Sequence, residues 1–193
     1  MRTIKAIVVS CLAVLAMACE PVWEPIEPLE LEEAEQVIEF YYQQPDVNRL
    51  LRALSALDTP EVYRKEMRAP LMGFFSALAL ERPEDWKIIQ KGRFDTVDEL
   101  NDLVFSVPYQ KPILEKFLAN PNQTVNNAEM LDLMWGAFSA TGDTRFVQVV
   151  ATTAQQGKNP IVKAAAEWSF NSQRKQHPVI EKQFPKTKSL DKK

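Results

Sequence analysis

Helix-start signals recur along this chain at nearly constant intervals, and that recurrence constrains its fold more than any other feature. Thr59-Pro60, Thr96 with Glu99, Asn126 with Glu129 and Asn159-Pro160 each place a capping side chain ahead of an apolar run, with spacings of 37, 30 and 33 residues. A capping oxygen satisfies backbone N–H groups left open in the first turn, and proline is tolerated at the first helical position. Phenylalanine keeps the same period: Phe40, Phe75, Phe105, Phe138 and Phe170 lie 35, 30, 33 and 32 residues apart. Each is followed by a break, at Pro45-Asp46, Pro83-Glu84-Asp85, Pro108 to Pro112, Gly142-Asp143 and His177-Pro178, and then by a second apolar segment. No long alternating β-branched run competes, and only five glycines occur in 193 residues. The pattern predicts an all-α fold of about five helical hairpins, each with a longer first helix and a shorter second one.

Repeats of this length stack so that neighbouring pairs bury one continuous core. A short α-solenoid-like array is therefore expected, with a compact irregular helical bundle as the alternative. In layout the array is similar to tetratricopeptide-type repeats, although the Trp, Leu-Gly and Tyr positions of that consensus are absent. Two segments nearly repeat each other, Leu71-Met72-Gly73-Phe74-Phe75-Ser76-Ala77 and Met134-Trp135-Gly136-Ala137-Phe138-Ser139-Ala140. Each carries a glycine inside a predicted helix, where it costs about 1 kcal/mol relative to alanine. Close approach of a neighbouring helix is the expected compensation, ahead of approach by a ligand backbone. Phe74, Phe75, Trp135 and Phe138 are expected in the core, as aromatics at helical spacing usually are.

The first nineteen residues constrain location instead. Met1-Arg2-Thr3-Ile4-Lys5 is a basic start, Ala6–Ala18 is apolar and uncharged, and Ala16-Met17-Ala18 leads into Cys19. A positive start, a short apolar stretch and small residues before a cut make a secretory signal, and this stretch is too short to span a bilayer as a helix. The segment resembles the lipobox of bacterial lipoproteins at Ala18 and Cys19, with Ala16 where leucine is usual. The resemblance implies cleavage of residues 1–18 and acylation of Cys19. Cysteine usage agrees: cleavage removes Cys11 and leaves Cys19 alone, a thiol with no internal partner in an oxidising compartment. Glu20, standing where an aspartate commonly retains such lipoproteins in the inner membrane, implies an outer-membrane address facing the periplasm. Glu20-Pro21, Glu24-Pro25 and Glu27-Pro28 make residues 19–30 an extended tether, and Trp23 within it suits either a membrane interface or docking onto the domain. The helical domain is expected over 31–184, followed by a flexible basic tail over 185–193.

Without residues 1–18 the chain carries 21 basic and 26 acidic side chains. An acidic balance with no basic stripe gives no electrostatic case for nucleic acid. The charge is nevertheless polarised: residues 20–39 hold eight glutamates and no Lys or Arg, while residues 158–193 hold nine basic and three acidic side chains.

Catalytic chemistry finds little support. His177 is the only histidine, and no His-Glu-x-x-His segment, P-loop, Gly-x-Ser-x-Gly elbow or cysteine pair occurs. Zinc lacks ligands, and no cofactor beyond the lipid on Cys19 is expected. Paired carboxylates for glycan hydrolysis need only spatial proximity, and nothing in the sequence selects one pair. Tyr41 and Tyr42 form a candidate exposed aromatic patch, as do Trp168 and Phe170, with coverage of the core ends as the competing reading. Tyr41, Tyr42, Trp168 and His177 are the candidate partner contacts. The expected function is a non-catalytic scaffold or accessory lipoprotein that binds another envelope protein or peptide. A cell-wall glycan- or peptide-acting enzyme or ligand binder and a periplasmic immunity-type lipoprotein are the alternatives.

Overall fold

A computed structural model describes residues 26–92 and 98–185, whose regular elements are all helices, with no strand among them. The signal segment, Cys19, Glu20, Trp23, Thr96 and the tail beyond Pro185 lie outside the described residues. The helices are α1 (Leu31–Glu39), α2 (Val47–Leu57), α3 (Arg68–Glu81), α4 (Pro83–Ile89), α5 (Asp98–Ala119), α6 (Ala128–Thr141), α7 (Thr144–Gln156), α8 (Pro160–Gln176) and α9 (Pro178–Gln183). Single 3-10 turns occupy Tyr41–Gln43 and Lys65–Met67.

The centre of the molecule follows from the composition of two helices. In α3 every residue from Leu71 to Ala79 is buried, and in α6 Leu131, Leu133, Met134, Gly136, Ala137, Phe138 and Ala140 are. Helices apolar on all sides must sit inside, with neighbours on every face. These two pack directly on one another. At the crossing, Gly73 rests on the backbone of Leu133 and Gly136 on that of Pro70. A Cβ on Gly73 would lie 2.7 Å from the carbonyl carbon of Leu133, and one on Gly136 would lie 2.6 Å from that of Pro70. Each glycine thus meets the residue three before the other glycine, a reciprocal contact running in opposite senses along the two helices. The expectation that close helix approach offsets the cost of these glycines is met, and the near-repeat of sequence is a near-repeat of interface.

The remaining helices wrap this pair. α5 lies along α3, α4 folds back beside it, α7 follows α6, and α8 packs on α7. α1 reaches α6, α2 reaches α4, and α9 returns to α7 and α8. In a solenoid each repeat touches only its neighbours. Here the second and fourth hairpins share the central interface, and the first and last meet through Tyr42 and His177. Contacts between hairpins that are not neighbours in the chain depart from a simple row of stacked repeats.

Several local expectations need correction. The third hairpin does not exist: α5 runs unbroken through Pro108 and Pro112. Both prolines lie on its exposed side, while Leu100, Leu103, Val107, Leu114 and Phe117 are buried on the other. The two ring nitrogens remove only the hydrogen bonds to Val104 and Pro108, and the buried face holds the helix together. Phe105 accordingly points out, 76% exposed, and breaks the phenylalanine period. Thr59-Pro60 opens a turn, its carbonyl accepting from the Val62 and Tyr63 N–H groups, and the helix starts only at Arg68. The start expected at Asn126 falls one residue later, where Asn127 Oδ1 accepts from Met130 N at 2.8 Å. The rule of a longer first helix fails in the first hairpin, where α1 has 9 residues and α2 has 11. Asn159 caps α8 as expected, Asp46 and Asp143 cap α2 and α7, and Gly142 ends α6 in the left-handed region at φ 71°. The tether also stops earlier. Leu29 is buried with Ala34 and Ala53, and its N–H donates to Arg52 O, so residues 27–30 lie along α2.

Adding one methyl group at the crossing tests this account. Gly73→Ala and Gly136→Ala should each lower stability by about 2 kcal/mol or more, despite alanine's better helix propensity. Urea denaturation followed by circular dichroism measures the change, and stabilisation by either substitution would refute the close contact.

Candidate functional site

The α3–α6 crossing opens on one side into a groove of about 250 Å³. Pro70, Leu71, Phe74 and Trp135 form its floor around Gly136, and Ile38 of α1 and Leu57 of α2 close one wall. The rim is polar, with Glu35 and Glu39 from α1, Ser139 from α6 and Gln173 from α8. Since glycine leaves no side chain above the crossing, the floor reaches down to the paired backbones. The Trp135 indole N–H is buried without a hydrogen-bond partner. Glu39 has its pKa raised, first by burial and then by the negative charge of Glu35.

Beside the rim, a chain of hydrogen bonds joins the ends of the described sequence. Gln43 Nε2 donates to Tyr42 Oη at 3.0 Å. Tyr42 Oη lies 3.1 Å from His177 Nδ1, and His177 Nε2 lies 2.8 Å from Gln173 Oε1. The amide oxygen can only accept, so Nε2 carries the hydrogen and Nδ1 accepts from the Tyr42 hydroxyl. His177 is 1% exposed and stacked among Phe40, Tyr42 and Phe138, with ring centroids 4.8, 5.8 and 5.1 Å away. Burial lowers its pKa from 6.5 to about 4. The ring is therefore neutral near pH 7, and its 3.7 Å approach to Glu39 Oε1 is not an ion pair there.

Of the residues singled out in the sequence, Tyr42 and His177 are brought together, and neither forms an exposed patch. Tyr41 is buried on a different side: its hydroxyl donates to Asp85 Oδ2 at 3.2 Å, and its ring packs on Phe74. Asp85 also pairs with Arg82, whose guanidinium lies over the Tyr41 ring. Burial, reinforced by the charge of Asp85, raises the Tyr41 hydroxyl well above its usual pKa of 10. The competing reading, that these tyrosines cover the core, is the correct one. Trp168 stands apart on α8, 75% exposed. Phe170 is half-buried against Phe184. Sequence reasoning missed Glu39 and Gln173. Glu39 follows the apolar face of α1 and Gln173 lies four residues before His177, a helical spacing that was the only available signal.

A larger cleft of about 620 Å³ lies elsewhere, between the start of α3, the middle of α5 and the start of α6. Lys65, Glu66, Arg68, Glu129 and Asp132 line it with mixed charge above Met72. Asp132 has its pKa raised by burial and by Glu129. We place the candidate site in the smaller groove, because an apolar floor with a few polar groups of one sign selects a ligand better than a cleft of mixed charge. Among the described residues, no three His, Cys, Asp or Glu side chains converge as metal ligands, and no helix is long and apolar enough to cross a membrane. The chain matches no family model, no curated protein and no solved structure.

The buried ring makes stability depend on pH. Unfolded, His177 takes up a proton near pH 6.5; folded, it does so only near 4. Between these values the unfolded state binds more protons, so the contribution of this ring falls as pH drops from 6.5 towards 4, by up to about 3 kcal/mol. Glu39, with its raised pKa, acts in the opposite sense. His177→Gln should therefore show a distinctly smaller loss of urea-denaturation free energy between pH 7 and 4.5 than the natural chain. Equal losses in the two proteins would disprove the neutral buried imidazole.

Proposed function

We propose that this protein is a bacterial envelope lipoprotein, held through acyl chains on Cys19 to the outer membrane and facing the periplasm. Its helical domain acts without catalysis, as an accessory factor that binds another envelope protein or peptide. The observation that carries the binding role is the groove over the α3–α6 crossing, apolar at its floor and rimmed by Glu35 and Glu39. The occupant this chemistry suits is a basic segment with one bulky apolar side chain: the side chain fills the groove while a Lys or Arg meets the two carboxylates. Glu27, Glu30, Glu32 and Glu33, on or just before α1, add negative charge and favour encounter with a basic partner. The signal segment supports the address, since its basic start, apolar stretch and small residues lead directly to Cys19.

A second reading attaches to the larger cleft. Glu129 and Asp132, with Asp132 raised in pKa, resemble in kind the split carboxylates of acid–base chemistry on glycans or peptides. Lys65 and Arg68 in the same cleft weaken it, because cations beside carboxylates oppose a raised pKa.

Address and binding are tested separately. After a wash in about 1 M salt, which screens electrostatic attachment, natural protein should remain with membranes while Cys19→Ser is released into the soluble fraction; salt-resistant membrane recovery of both in equal amount would remove the lipid anchor. The chain from Glu20 onward should capture a discrete envelope protein. Glu35→Lys with Glu39→Lys should reduce capture at least about tenfold, the effect expected of reversing two rim charges. Capture unaffected by those changes would place the partner elsewhere.

A further inference from the structure

We propose that the outer face of α8 rests on an anionic lipid surface. Ile161, Ala164, Trp168 and Lys175 follow one another at intervals of three, four and seven, which places them on one side of the helix. All four are exposed, Ile161 by 80% and Trp168 by 75%. Val162 and Ala166 are buried on the opposite side, where α8 packs on α7. A large aliphatic group and an indole left in water on one helical stripe need a reason, and an interfacial helix supplies one: indole is favoured at the boundary between headgroups and acyl chains.

Charge decides which surface covers the stripe. Lys158 and Lys175 are exposed at its two ends. Residues 158–185 carry five basic and two acidic side chains, whereas residues 20–157 carry twelve and twenty-three. The one acidic group on α8 is Glu167. An anionic bilayer therefore attracts this end of the chain and repels the remainder, which orients the domain as well as holding it. Gln173, on the groove rim, lies about 140° around the helix from Trp168 at 3.6 residues per turn. With Trp168 facing lipid, the groove faces away from the membrane. This docking depends neither on Cys19 nor on occupancy of the groove, so it goes beyond the proposed function and fails or stands independently of it.

The test uses the chain from Glu20 onward, which lacks the acylated cysteine and retains the whole core, since the buried clusters lie between Leu29 and Ile180 and the half-buried Phe184 packs against them. Vesicles of phosphatidylcholine are compared with vesicles containing phosphatidylglycerol at about one part in three, in low salt. Cosedimentation with the anionic vesicles should exceed that with neutral ones at least about fivefold, and Ile161→Ser with Trp168→Ser should abolish the excess without changing the circular dichroism spectrum. Brominated acyl chains should quench tryptophan fluorescence in the natural sequence and not in Trp168→Phe. Equal or absent binding to the two vesicle types, an excess surviving the double substitution, or quenching that persists in Trp168→Phe would each overturn the proposal.

Discussion

The backbone contact between α3 and α6 is the constraint on which the other helices depend. Side chains ordinarily hold packed helices 8–10 Å apart. Gly73 and Gly136 remove them at the crossing, so each helix rests on a carbonyl of the other. Both helices can then be apolar on every side and still fit within one domain. Their remaining surface must be covered, and α1, α4, α5, α7 and α8 cover it. Glycine weakens each helix by about 1 kcal/mol as an isolated unit, and burial offsets that cost: Phe74, Phe75 and Phe138, flanking the two glycines, are all fully buried.

Much of this fold was legible because its local determinants act over a few residues. Asp46, Asp143 and Asn159 cap helices by contacts to N–H groups two or three positions away, so the sequence alone suffices to find them. The paired glycine segments were legible for a different reason, since a costly residue repeated in the same setting implies a shared contact. Failures occurred where tertiary burial overrode local preference. Pro108 and Pro112 read as a break, yet five buried residues on the opposite face of α5 outweigh two missing hydrogen bonds. Asn126 and Asn127 are adjacent residues of the same type, and choosing between them needs the register of α6, which its buried face sets.

The candidate site was less legible than the fold, because it is a by-product of packing rather than a motif. Its floor comes from α3 and α6, its walls from α1 and α2, and its rim includes Gln173 from α8. No spacing in the sequence joins those elements. His177 illustrates the difference: as the sole histidine it drew attention as a surface contact, whereas it is a neutral, buried clasp between the first and last hairpins. Tyr42 serves the same joint from the other side, and Gly142 fits beneath it, where a Cβ would come within 2.6 Å of the tyrosine ring. The left-handed glycine that ends α6 thus also admits the side chain that closes the bundle.

That joint fixes how the charged ends of the chain are presented. α1 carries Glu32, Glu33, Glu35 and Glu39, and α8 and α9 carry Lys163, Arg174, Lys175 and Lys182. The clasp draws the C-terminus of α1 and the C-terminus of α8 together, so attraction between acidic and basic helices acts across a short, partly dry junction. Yet the groups that meet there are uncharged: tyrosine, a neutral imidazole and two amides. Burying an ion pair at the same place would have required desolvating both charges, a cost that often exceeds the attraction gained. A neutral relay joins the two helix ends without that cost, and none of the charged side chains of these helices is fully buried. At the surface they act over a distance on whatever approaches.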